Sequence, residues 1–111
     1  MTTIHELHTF YAGDDWQIDG SLFDVDGNPL DVTGATLEWA LLDFTHAVVL
    51  DESVAQVEII DAVNGKITIV VPDGATEGLP AGQYSDVLRV TLRTVTDTMW
   101  TGAIIVKRGL P

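Results

Sequence analysis

No cysteine occurs in the chain. Disulfides and thiolate metal centres are therefore excluded, and the composition suits a protein made in a reducing compartment. Cationic residues are scarce as well: 5 Lys plus Arg stand against 17 Asp plus Glu, for a net charge of -12. Affinity for nucleic acid rests on cationic contacts with phosphate. Arg89, Arg93, Lys107 and Arg108 are too few for a basic stripe. The acidity serves solubility instead. No hydrophobic run approaches the ~18–20 residues of a membrane helix. The opening residues Met1-Thr2-Thr3-Ile4-His5-Glu6 lack the basic region and apolar core of a signal peptide. The expectation is a cytoplasmic product that keeps its initiator Met.

Catalytic patterns are missing too. Ser21, Ser53 and Ser85 are the only serines, and none sits in Gly-x-Ser-x-Gly. Gly74, Gly78 and Gly82 recur every four residues but lie between strands, with no helix to receive a phosphate. No carboxylate pair stands out in so acidic a chain. The sequence reads as a non-enzyme with no catalytic residue, no cofactor-binding residue and no cofactor.

What the sequence does carry is a period of two. Trp16, Ile18, Gly20 and Leu22 share one parity, as do Leu37, Trp39 and Leu41 further on. Alternation of this kind places such residues on one face of a β-strand. Strands are expected over Ile4 to Tyr11, Trp16 to Phe23, Ala35 to Leu42, Ala47 to Leu50, Gln56 to Ile60, Lys66 to Val71, Gln83 to Leu92 and Thr98 to Lys107. Asn64-Gly65 predicts a two-residue hairpin with positive φ at both central residues. Thr94 to Asp97 predicts a turn. The loop 73–82 has room for one helical turn with Thr76 as its cap. No window shows a 3.6-residue period. About seven or eight short strands punctuated by Gly, Pro, Asn and Asp argue an all-β, antiparallel, immunoglobulin-like sandwich. At 111 residues, the chain is expected to be one domain over 1–111.

Trp16, Ile18, Leu37, Trp39, Ile67, Ile69, Tyr84, Leu88, Trp100 and Ile104 form the expected core. Tyr84 follows Leu79-Pro80-Ala81-Gly82 at a corner between strands. Immunoglobulin-like sandwiches place there a tyrosine whose hydroxyl bonds back to upstream backbone.

Asp24, Asp26, Asn28 and Asp31 invite a calcium reading. Their spacing departs from the EF-hand loop, since Pro29 stands where that loop needs glycine. Asp and Asn also favour turns through their own side-chain bonds to backbone, so turn chemistry is the expectation, with a weak cation site as the alternative. His5 and His8, three apart, point to opposite faces of a strand and cannot share a metal. With His46, they read as solvated surface residues, and no metal ligand is assigned.

These segments together resemble a known group. Gly13-Asp14-Asp15-Trp16, the turn Asp24-Val25-Asp26-Gly27-Asn28-Pro29-Leu30-Asp31-Val32-Thr33-Gly34-Ala35-Thr36, the corner Leu79-Pro80-Ala81-Gly82-Gln83-Tyr84 and the strand Gly102-Ala103-Ile104-Ile105-Val106 are similar to those of small phage and prophage virion proteins. The likeness is to the N-terminal sandwich of baseplate upper proteins and to short tail-region or head-attached proteins of the same pattern. It implies a non-enzymatic structural component of a particle, in capsid decoration, neck, tail or baseplate. It also implies protein–protein contacts with other virion proteins or with a copy of this chain, with no nucleic acid and no membrane as partner. Such a protein is made in the host cytoplasm and ends in the virion. From a different class, a carbohydrate- or cell-surface-binding sandwich module is the alternative.

Contact residues are expected on the terminal strands, where apolar side chains fall on both parities and charge is sparse. They are Ile4, Leu7 and Phe10 in the first strand and Met99, Ala103 and Ile105 in the last. Edge strands must be paired, covered or blunted, and a partner protein is one way to cover them.

Overall fold

Two sheets carry the chain in the computed structural model, which describes residues 8–109. The described residues form eight strands, β1 (His8–Tyr11), β2 (Trp16–Ser21), β3 (Thr36–Leu42), β4 (Val48–Asp51), β5 (Gln56–Asp61), β6 (Lys66–Val71), β7 (Gly82–Leu92) and β8 (Val95–Lys107). One short helix, α1 (Asp73–Thr76), lies between β6 and β7. The first sheet has the order β1-β8-β7-β3-β4 and the second β2-β6-β5. Pairing is antiparallel except at β1, which runs parallel to β8 with His8 beside Ile104. The immunoglobulin-like sandwich expected from the alternation is thus present, with one parallel pair at its edge.

Alternation explains the core. Trp16 and Ile18 from β2, Trp39 and Leu41 from β3, Ile67, Ile69 and Val71 from β6, Leu88 from β7, and Trp100 and Ile104 from β8 all turn between the sheets and are buried. Of the expected core, only Leu37 is partly exposed, packing on the margin of this cluster. Gly20 shares the inward parity of β2 for a steric reason. A Cβ there would overlap the Trp100 ring, lying 2.7 Å from its Cη2.

Three local expectations are corrected. The β5–β6 connection is a four-residue loop, because β5 extends to Asp61 and Asp61 pairs with Lys66. Only Gly65 takes positive φ there, at 65°, while Asn64 amide groups bond to the Asp61 carboxylate. A side chain at Gly65 would meet Leu30 O at 2.5 Å and Leu22 O at 2.7 Å. Likewise, residues 95–97 are strand and not turn. Val95-Thr96-Asp97 continues the ladder opposite Leu92, Thr91 and Val90, leaving Arg93 and Thr94 as the loop, with Arg93 at φ 61°. β-Branched residues fit a pleated surface well, which favours the longer hairpin. Finally, Thr76 ends α1 and does not cap its start. Its buried hydroxyl donates to Asp14 O at 2.7 Å and accepts from Gly13 N at 3.0 Å, pinning the helix to the β1–β2 turn. The start of α1 is served from across the chain, where Asp73 N donates to Asp15 Oδ1 at 2.7 Å.

Candidate functional site

Parity and register define the outer face of the five-stranded sheet. On β3, Trp39 and Leu41 point inward, so Glu38, Ala40 and Leu42 point out. Register sets them beside Arg89, Val87 and Ser85 of β7. The rows continue onto β8, where Thr101 lies beside Val87 and Ala103 beside Ser85, with Ile105 next along. On the other side, Val48 of β4 lies beside Leu42 and Asp51 beside Ala40. The centre of this face is small or apolar: Ala40, Leu42, Ser85, Val87, Ala103 and Ile105 are all half-buried. Charged residues stand around it, namely Glu38, Arg89, Asp51 and Lys107. Past the end of β3, Phe44 projects from the β3–β4 loop at 87% exposure.

The expected contact residues divide. Ala103 and Ile105 lie on this face. Met99 does not: it is only 3% exposed, in the core. A β-bulge is the reason. Leu88 pairs with Trp100 and Arg89 with Thr98, so Met99 is the extra residue. A bulge breaks the alternation, and Met99 and Trp100 both turn inward. Phe10 also turns toward the core, stacked on Trp16 with ring centroids 5.0 Å apart and planes at 14°. Ile4 and Leu7 lie outside the described residues. β3 and β7 add Ala40, Leu42, Ser85 and Val87 to the same face, residues that a reading of the terminal strands alone did not include.

A buried carboxylate was missed as well. Asp86 is fully buried on β7, and its Oδ2 accepts from Trp39 Nε1 at 3.0 Å and Trp100 Nε1 at 3.1 Å. Buried indole N–H groups need partners, and one oxygen serves two of them. The parity Tyr84, Asp86, Leu88, Val90 was the signal for it. Tyr84 fills the corner role expected, donating to Pro80 O at 2.7 Å. Burial raises its phenol above the usual value, with Asp43 adding to the effect.

The acidic loops spend their carboxylates on backbone. Asp24 Oδ1 accepts from Asp26 N and Asn28 N, both at 2.9 Å. Asp43 Oδ1 repeats the arrangement with Thr45 N at 2.8 Å and Ala47 N at 3.1 Å. In each loop the residue three after the Asp takes positive φ, Gly27 at 83° and His46 at 66°. Asp31 and Asp51 hold the hydroxyl and backbone N–H of Thr33 and Ser53. Such bonds to the ionised form hold the Asp31, Asp43 and Asp51 carboxyls below the ordinary value. Of the histidines, His8 stacks on Phe10 within β1, His46 sits in the β3–β4 loop, and His5 is outside the described residues. Among the described residues no group of three or more His, Asp or Glu side chains is placed to hold a metal ion.

A shallow groove of about 400 Å³ lies on the opposite sheet, lined by Gln17, Asp19, Ile60, Lys66 and Thr68. Its Asp19 carboxylate accepts from Thr68 Oγ1 at 2.6 Å and from the Gln17 amide at 3.1 Å, so these three side chains are engaged with one another.

No protein-family model matches the chain, and no curated protein matches it by sequence. Its fold does have counterparts among solved structures. CopC from Methylosinus trichosporium OB3b superposes with a TM-score of 0.56 at 13% identity, covering 94% of this chain and 87% of that one. The N-terminal domain of phage TP901-1 ORF48 superposes with a TM-score of 0.63 at 16% identity, covering 92% of this chain and 85% of that domain. At such identities the likeness is one of fold, and a fold hosts many functions. The chain is an immunoglobulin-like sandwich with a phage protein domain as a structural neighbour.

Proposed function

We propose that this chain is a non-enzymatic structural component of a phage or prophage particle, working through protein–protein contacts. The observation that carries the reading is the match to the phage TP901-1 ORF48 N-terminal domain over nearly the whole length of both. The turn and corner motifs, which resemble those of phage virion proteins, support it independently of the superposition. Within the particle, the resemblance to baseplate upper proteins favours the tail region over the capsid and neck.

The contact surface in this reading is the outer face of the five-stranded sheet. Contact patches put apolar side chains at the centre and polar ones at the rim, and this face has that distribution. The remaining surface is strongly acidic, which keeps free subunits apart before assembly. The protein is made in the host cytoplasm and incorporated into the virion.

The test is incorporation. Particles are purified from an induced lysate of the strain that carries the gene, and the chain is measured in the particle and free fractions. Wild type should sediment with particles. An Ala103→Glu, Ile105→Lys double variant, checked for an unchanged far-UV spectrum, should stay in the free fraction. Wild type confined to the free fraction would sink the reading. Normal incorporation of the variant would move the contact surface elsewhere.

A further inference from the structure

The rows of the open face complement themselves. Across the β3–β7 boundary, Leu42 lies beside Ser85, Ala40 beside Val87 and Glu38 beside Arg89. Each row thus holds a large residue beside a small one, or an anion beside a cation. A second copy can be turned about a two-fold axis that runs along the strands, between β3 and β7. That operation lays each β3 residue over its own row neighbour on β7 of the other copy. Leu42 then meets Ser85, Ala40 meets Val87, and Glu38 meets Arg89, twice over. A two-fold contact must be self-complementary in this way.

We infer that the occupant of this face is a second copy of the chain, paired about that axis. The inference rests on the reading of the face as a contact surface and names the partner. The same operation sets Val48, 58% exposed on β4, over the small Ala103 of β8. Charge points the same way. The chain carries -12 overall, yet this face bears Glu38 and Asp51 against Arg89 and Lys107 and is balanced. It is thus a side on which two copies can meet without like-charge repulsion at the contact.

The patch is modest. Four strands at ~4.8 Å spacing and ~20 Å of strand length cover roughly 400 Å² per copy. A standard interface buries about 800 Å² per partner. Pairing is therefore weak in dilute solution and strengthens with concentration. Salt strengthens it further, because screening weakens the repulsion between the acidic remainders.

Sedimentation velocity on the full chain, from micromolar to millimolar and at low and high salt, tests this. The mass should rise from 12.0 kDa toward twice that value with concentration, and more readily at high salt. Ala40→Glu and Val48→Glu should each weaken pairing by about tenfold or more, since they set charge against an apolar or small partner. Val48 is exposed enough that its variant keeps the fold. Glu38→Arg and Arg89→Glu should each weaken pairing, and the double exchange should restore it. A wild-type chain that stays monomeric under all conditions overturns the inference. So does a dimer that survives Ala40→Glu and Val48→Glu. If the chain stays monomeric yet sediments with particles, another virion protein covers the face and the proposed function stands. If it neither pairs nor sediments with particles, both readings fail.

Discussion

Replacing Asp86 by Leu should remove a substantial share of the stability of this sandwich. The residue is fully buried, and its Oδ2 takes both the Trp39 and the Trp100 indole N–H. Leucine has the same branched shape with bulkier tips, so the change leaves no cavity and acts through lost hydrogen bonds together with some crowding. It orphans two buried donors. Each orphaned group costs about 1–3 kcal/mol, so the sum is about 2–6 kcal/mol. A domain of this length is stable by roughly 5–15 kcal/mol. Urea unfolding followed by tryptophan fluorescence reads the loss as a lower midpoint at unchanged slope. A double-mutant cycle isolates the cause. In a Trp39→Phe background one donor is already gone, so Asp86→Leu should cost about 1–3 kcal/mol less than in wild type. Two results would refute the reasoning: a loss below about 1 kcal/mol in wild type, or strict additivity in the cycle.

Other expectations follow from the same geometry. Gly20→Ala drives a methyl into the Trp100 ring, which Asp86 holds in place, and should destabilise by about 1–3 kcal/mol; an unchanged melting temperature would show that the ring gives way freely. Tyr84→Phe removes the bond to Pro80 O and should cost about 0.5–1.5 kcal/mol with the fold intact, read by urea midpoint. Acid should weaken the fold through its hydrogen-bonded carboxylates. The carboxyls of Asp19, Asp31, Asp43, Asp51 and Asp61 are held below the ordinary value of 3.8 by the side chains of Thr68, Thr33, Thr45, Ser53 and Asn64 respectively. A depressed folded-state value stabilises above 3.8 and is lost as pH falls through the folded-state values. The urea midpoint should therefore drop below about pH 4, and less steeply in Asp43→Asn; a midpoint that rises across that window would contradict the assignment.

Most of the fold was legible because alternation is a local signal. Trp16 and Ile18, Trp39 and Leu41, and Ile67 and Ile69 each declare a buried face within a few residues. The Tyr84 corner was legible for the same reason, since Pro80 lies four residues upstream. Pairing choices were not. Nothing in His8–Tyr11 says that it runs parallel to β8, because that depends on where a distant strand lies. The bulge at Met99 was equally hidden: it arises from how β8 meets β7, and the alternation of β8 alone sends Met99 outward. The outer face of the five-stranded sheet was half legible. Ala103 and Ile105 could be read from parity, but Ala40, Leu42, Ser85 and Val87 matter as a group only once β3 and β7 are neighbours. Asp86 could have been found, since a charged residue on the inward parity of a strand signals a buried partner.

The central claim is that the outer face of the five-stranded sheet is covered in the assembled particle. Hydroxyl-radical footprinting of the free chain and of purified particles tests it residue by residue. Leu42, Val87 and Ile105 should lose reactivity in the particle, while Ile60, 62% exposed on the opposite sheet, keeps its own. Equal labelling of Leu42, Val87 and Ile105 in both states, with protection at Ile60 instead, would contradict the account.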